Sequence, residues 1–374
     1  MIVYICMLLI SILFLYLASK TSKKGKKIIC YVMAILPFFV VSAIRYDVGT
    51  DYLNRYDGDY RKIGNGIDVY NLEIGFKLLI KFCNLITPKS YILFAITSAI
   101  IVGFIMYRII KNSNDPILGV LVFFLAGFYF ESLNILRQYV AMSIIVFAYP
   151  FLLEKKKIPL FVLCTIIAGL LHSSAFVMLV LLFLNNKMLA SWKWVIPVSI
   201  IILILNKNLL KFVAIFLTNT RFSIYLTERF AKGDFSVLYV FENLIIYICM
   251  YYVYTKLKNK NKQDTLFLNI QALALLTIAM GSCHMLFLRS ASYFSIFQVI
   301  SVPYYITQFP VDEFINDLKK LKIDLTKYKG KIVQYVKIAL ICFMFVCFFR
   351  TNILNNTNEP LPYKTIFNKN VQIK

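Results

Sequence analysis

Ile2-Val-Tyr-Ile-Cys-Met-Leu-Leu-Ile-Ser-Ile-Leu-Phe-Leu-Tyr-Leu-Ala18 contains no charged side chain, and it is followed at once by Lys20, Lys23, Lys24, Lys26 and Lys27. As a helix the apolar run is about 25 Å long, close to the hydrocarbon thickness of a bilayer. The lysines behind it are the positive-inside signature, which predicts a cytoplasmic first loop and an N-terminus outside. No basic residues precede the run and no small-residue cleavage site follows, so it reads as a first membrane helix, not a removable signal. Ile28–Ile44 then crosses back. This delivers the polar stretch Arg45–Glu73 to the outer face, where its excess of acids over bases agrees with that side.

The rest of the 374 residues extends the same reading. The chain is 60% hydrophobic and 16% aromatic but only 16% charged, with mean hydropathy +0.73, whereas soluble domains carry about 25% charged residues. The net charge of +23 falls in short clusters between apolar runs, which argues for membrane orientation and against nucleic acid. Eight cysteines sit in or beside apolar runs with no CxxC pair, so they read as small core side chains and not as a metal or disulfide framework. The expectation is one all-α, polytopic membrane domain over 1–374, with about ten to twelve transmembrane helices.

Along the chain, Ile74–Ile86 is too short to span. It carries Lys77 and Lys81 opposite an apolar stripe of Phe76, Leu79, Ile80 and Cys83, which predicts an interfacial helix. Ser90–Ile110, Pro116–Phe130, Leu133–Leu153 and Ile158–Leu184 read as successive crossings. Trp194–Asn206 and Leu209–Leu217 are short, and suit either two thin crossings or a re-entrant pair. Val237–Leu257, Thr265–Phe287, Ala291–Phe309 and Ile332–Phe349 complete the alternation, with the C-terminus outside.

The outer stretch is the densest polar patch in the sequence. Tyr52, Tyr56 and Tyr60 recur every four residues and would form one aromatic stripe on a helix, suited to sugar rings. Gly49 permits a turn that a side chain would obstruct. Asp57-Gly-Asp59 has the spacing of a metal-binding pair, but in an acid-rich loop the spacing alone says little. Ionisable residues inside spans cost about 2.5–3.5 kcal/mol each and mark sites or paired interiors. Arg137 with Gln138 suits an anion held by a forked guanidinium, or a side chain reaching the headgroups. His172 lies in Leu171-His-Ser-Ser-Ala175, and a helix–helix hydrogen bond is its plain alternative. Arg289 stands one turn before Tyr293, with His284 as a more structural neighbour. By the predicted topology Arg45, Arg137 and Arg289 lie at one depth near the outer surface.

The run Asp47-Val-Gly-Thr-Asp-Tyr52 with Tyr56 resembles the opening motif of the EpsG family of exopolysaccharide-assembly membrane proteins, which are similar to Wzy-type polymerases. The resemblance continues through Glu73-Ile-Gly-Phe76, Asn134-Ile-Leu-Arg-Gln138, His172-Ser-Ser-Ala175, Arg289 with Tyr293, and Pro362-Tyr363. Nothing between Lys187 and Ser236 matches. The resemblance implies a glycosyltransferase of the bacterial cytoplasmic membrane that joins polyprenyl-diphosphate-linked oligosaccharide units on the outer face and releases polyprenyl diphosphate. Lipid-linked oligosaccharide is the implied partner, with a chain-length regulator and a flippase beside it. Neither cofactor nor metal is required.

For that chemistry Arg45, Arg137, Gln138 and Arg289 would hold the leaving diphosphate. Tyr52, Tyr56 and Tyr293 would contact sugars. Asp51 is the first choice of base for the acceptor hydroxyl, Asp47 the second and His172 the third. Two other classes compete. A flippase for lipid-linked glycans explains the helices and buried charges but leaves the acid-rich loop idle, and no repeated halves are visible. A membrane acyltransferase would need a His-centred site, for which His172 is the one candidate.

Overall fold

The computed structural model describes residues 1–184, 187–205, 237–282 and 284–367. Every regular element among them is helical, and one isolated bridge pairs Arg45 with Thr365. Seven helical runs are long and apolar enough to cross a membrane: Ile2–Lys20, Lys24–Ala43, Tyr91–Asn112, Leu136–Leu153, Val237–Lys256, Lys262–Gly281 and Thr326–Leu354. An eighth, Pro116–Leu125 plus Phe128–Asn134, is bent by 51°. The protein is an all-α, polytopic membrane protein.

The ten to twelve expected crossings are therefore not all continuous helices. Ile158–Leu184 is divided at His172, where one helix ends at Leu171 and a tighter one starts at Ser173. The last hairpin consists of Lys262–Gly281 followed by two short helices, Met285–Ser295 and Gln298–Thr307. Trp192–Ile204 has 13 residues, and the second half of the expected hairpin at 209–217 lies outside the described residues. Hydropathy reports the length of an apolar run. It is blind to a break whose freed backbone groups are satisfied by side chains from elsewhere.

The chain forms two compact units, Met1–Phe176 with Ile338–Lys374, and Val177–Lys337. In the first unit, α1 (Ile2–Lys20) pairs with α2 (Lys24–Ala43), and α2 packs on α5 (Tyr91–Asn112). Next comes α8 (Leu136–Ala148), then α9 (Ile158–Leu171), with α6 (Pro116–Leu125) against α1 and α5. On α1 the buried residues Tyr4, Met7, Ser11, Leu15 and Ala18 follow helical spacing, while Ile2, Ile5, Leu9 and Leu13 on the other side stay uncovered. That pattern suits a helix with protein on one side and lipid on the other. Tyr4, Phe38, Phe123, Tyr129 and Phe130 interlock, mostly edge to face, to close the core. Arg108 on α5 donates to the Phe147 carbonyl at the end of α8, taking up an acceptor left open there.

The stretch expected to lie at the interface is helical as α4 (Ile74–Ile86), packed on α5 and α9. Phe76, Ile80 and Cys83 face the protein, and Lys77 pairs with Asp68 at 2.6 Å. A second apolar stripe, Ile74, Leu78, Phe82 and Leu85, is exposed. It is one helical face by spacing, as an interfacial helix requires.

In the second unit, Val237–Lys256 packs on Lys262–Gly281, which packs in turn on Met285–Ser295. Asn261 and Asp264 form a capping box at the start of Lys262–Gly281, and Tyr304 donates to the same aspartate. Inside, Asn243, Gln271 and Gln298 join in a buried amide network.

Candidate active site

Between α2 and α4 the polar stretch folds as a loop, a wide helical turn over Tyr52–Asp57 and the short α3 (Gly58–Gly64). Gly49 adopts φ +96°, and a Cβ there would stand 3.0 Å from the Leu133 carbonyl oxygen. Conformation and close approach both call for glycine. The loop therefore lies directly against the turn between α7 (Phe128–Asn134) and α8. Asn134 Oδ1 locks it there, accepting from Thr50 Oγ1 at 2.6 Å and from the Asp51 amide at 3.2 Å.

The C-terminal tail straps the same loop from the other side. Tyr46 donates to the Lys364 carbonyl, Ile366 to that of Ile44, and Gly49 to that of Glu359. Lys364 meets Asp47 at 2.9 Å, Tyr363 donates to the Val41 carbonyl, and Tyr4 to that of Pro360. The Pro362-Tyr363 pair of the C-terminal tail is thus part of the loop's clamp.

Arg45 is fully buried beneath this loop. Its guanidinium donates to the Ser42 carbonyl, to Ser98 Oγ and to the Leu133 carbonyl. Phe94 and Tyr52 cover it, and Tyr52 returns a hydrogen bond to the Arg45 carbonyl. The three tyrosines that periodicity puts on one stripe are all buried: Tyr52 on Phe94, Tyr56 beside Phe76, and Tyr60 donating to the Thr87 carbonyl. In this conformation their rings pack the loop down and offer no open face for a sugar. Asp57 pairs with Arg61 and accepts from Ser90, so half of the Asp-Gly-Asp pair is engaged internally.

A different constellation gathers at two helix breaks. Glu73, the residue before α4, reaches Arg137 Nη1 with Oε2 at 2.7 Å. Its Oε1 lies 3.2 Å from His172 Nδ1, and 3.4 Å from both the amide and the hydroxyl of Ser173. Arg137 stands in the first turn of α8, its amide donating to the Tyr56 hydroxyl. His172 ends α9 in extended backbone, so it lies at a break and not mid-helix. One carboxylate thus satisfies a cation, an imidazole and a freed backbone amide, all largely buried. A carboxylate that loses water is disfavoured as a charge, but the His172 hydrogen bond and the Arg137 charge overcome this and lower Glu73 to about 2. Nearby Asp59 is pushed up by burial, against the charges of Arg55, Arg137 and Lys62.

Other expected residues are placed as follows. Asp51 is part-exposed, 3.6 Å from Arg55. Asp47 is held by Lys364, and Gln138 is buried with Nε2 3.7 Å from Met142 Sδ. Arg289 and Tyr293 share the helix Met285–Ser295 in the second unit, capped by His284, and Tyr293 is buried. Arg137 and His172 are the expected residues that one partner joins. Glu73, Asn134 and Ser173 were not singled out as site residues. Each stands inside a quoted motif, and Glu73 carries a further signal as the acid directly before an apolar helix.

No curated protein and no solved structure matches the chain at a significant level. The model of the EpsG family matches residues 28–365, nearly the whole sequence and every motif described above. The chain belongs to the EpsG family.

Proposed function

We propose that this protein is a polysaccharide polymerase of the bacterial cytoplasmic membrane. It joins oligosaccharide repeat units carried on polyprenyl diphosphate at the outer face and releases polyprenyl diphosphate. The observation that carries this reading is the buried Arg137–Glu73–His172–Ser173 cluster, assembled from three distant segments at two helix breaks under an acid-rich loop.

The chemistry follows from the residue types. A departing diphosphate needs positive charge that persists at every pH, which arginine provides. Arg137 contacts Glu73 through Nη1, and the fork carries further donors for phosphate oxygens. Its position in the first turn of α8 adds backbone amides and the positive end of a helix dipole. Gln138 is a neutral neighbour for the same group, and Arg289 with Tyr293 enters from sequence alone. Asp51, Asp47 and His172 are the proton acceptors among which experiment chooses. Because the sugar arrives activated on lipid, no nucleotide is required. A flippase and a chain-length regulator complete the expected machinery.

Broken helices also suit transporters, so a flippase for the same lipid-linked glycan is the second reading. One experiment separates them. In cells lacking the native gene, Arg137→Ala should insert normally yet leave single repeat units on the surface. Normal chain lengths would overturn the polymerase reading, and loss of single units as well would favour the flippase.

A further inference from the structure

We infer that Glu73 is a positioning residue that fixes the tautomer and rotation of His172, making His172 Nε2 the group that receives the acceptor hydroxyl's proton. The inference rests on the polymerase reading and reverses the sequence-based order, in which Asp51 came first and His172 last.

The geometry supplies the argument. An ionised carboxylate accepts hydrogen bonds and donates none. With Glu73 Oε1 at 3.2 Å, His172 Nδ1 must carry the hydrogen, and the lone pair of the neutral ring then resides on Nε2. His172 is in extended backbone where α9 stops, outside the helical ladder, and the Glu73 contact holds the Nδ1 edge of its ring. Arg137 on the other carboxylate oxygen, at 2.7 Å, favours the ionised form and so keeps the proton on the imidazole. This is the division of labour of an oriented imidazole base: the acid aims the ring and stabilises the imidazolium without itself being protonated. Of the other candidate bases, Asp51 lies 3.6 Å from Arg55 and Asp47 2.9 Å from Lys364.

The step balances. The acceptor hydroxyl oxygen bonds to the anomeric carbon of the donor sugar as the bond from that carbon to the diphosphate oxygen breaks. The electron pair leaves on polyprenyl diphosphate beside Arg137. The hydroxyl proton passes to His172 Nε2 and from there to diphosphate or water.

The test uses purified full-length protein in proteoliposomes, with lipid-linked repeat extracted from cells that lack the gene, and reads chain growth on gels. Glu73→Gln should lower kcat by about 100-fold or more, the usual contribution of proton transfer, with KM changed far less. Glu73→Asp should recover part of that loss. His172→Ala should be inactive and regain turnover when imidazole is added, a response that a purely structural histidine would not give. Should Glu73→Gln aggregate, Glu73→Asp and the imidazole arm decide. A monodisperse His172→Ala protein that imidazole fails to restore overturns the inference, as does a Glu73→Gln protein of wild-type kcat. In both cases the wild-type protein still elongates the extract. A wild-type protein that makes no polymer overturns the underlying reading instead.

Discussion

Tyr52 lies flat on Phe94, ring centroids 3.9 Å apart and planes within 7°, and the buried Arg45 guanidinium lies beside the stack, 5.0 Å from the Phe94 centroid and 6.0 Å from that of Tyr52. An arginine so enclosed bonds neutral oxygens, and its removal strands the Ser42 and Leu133 carbonyls. Each orphaned acceptor costs about 1–3 kcal/mol. Arg45→Ala should therefore lower the amount of monodisperse protein and its melting temperature in detergent before any question of catalysis arises. A fully stable but inactive Arg45→Ala protein would instead show that this side chain reaches substrate.

A Cβ on Gly75 would stand 2.7 Å from the Leu170 carbonyl oxygen, backbone that cannot swing away. Gly75→Ala should push α4 off α9 and pull Glu73 from His172, reducing activity about tenfold or more, since small displacements of positioned groups carry large rate costs. Gly103 on α5 has open space around it, so Gly103→Ala should match the wild type in chain length and stability. Equal behaviour of the two variants in a polymer-length assay would refute the proposed coupling.

The tail strap divides into strong and weak parts. Lys364 and Asp47 are both part-exposed, and such ion pairs contribute about 0.2–1 kcal/mol, so Lys364→Ala should leave activity within about twofold. Truncation after Asn355 removes the backbone pairing at Lys364, Glu359 and Ile366 together. It should expose 45–73 to protease and abolish polymer formation. Protease resistance of the truncated protein would count against the strap.

Glu73 also sets a pH dependence. Its folded value, near 2, lies below the ordinary 4.5, so the carboxylate's contribution to stability is fully present above about pH 4.5. It falls away as pH drops toward 2, where Glu73 takes a proton. Thermal unfolding of the detergent-solubilised protein should show an acid-side loss over that window, and Glu73→Gln should flatten it. An unchanged acid limb in the variant would place the titration elsewhere.

Much of the architecture was legible because membrane insertion leaves coarse marks. Uncharged runs, lysine clusters and the short α4 identify themselves by length and charge. The breaks at His172 and Ile135 were not legible, since each depends on a partner remote in sequence: Glu73 for the Ser173 amide, and Tyr56 for the Arg137 amide. The tyrosine stripe shows the opposite limit. Its spacing was plain, yet periodicity cannot say whether a shared face meets sugar or Phe94. Glu73 escaped selection because it lies at the edge of the acid-rich patch, where nothing in its neighbours foretells His172.

The bond between Asp47 and Lys364 joins residues 317 positions apart. At synthesis rates of roughly 5–20 residues per second, the loop beside the candidate site waits about 15–60 s for its strap to be made. During that interval Tyr46, Asp47 and Gly49 lack the partners they take from the tail. The strap is therefore among the last of the described contacts that the chain can close during its own synthesis.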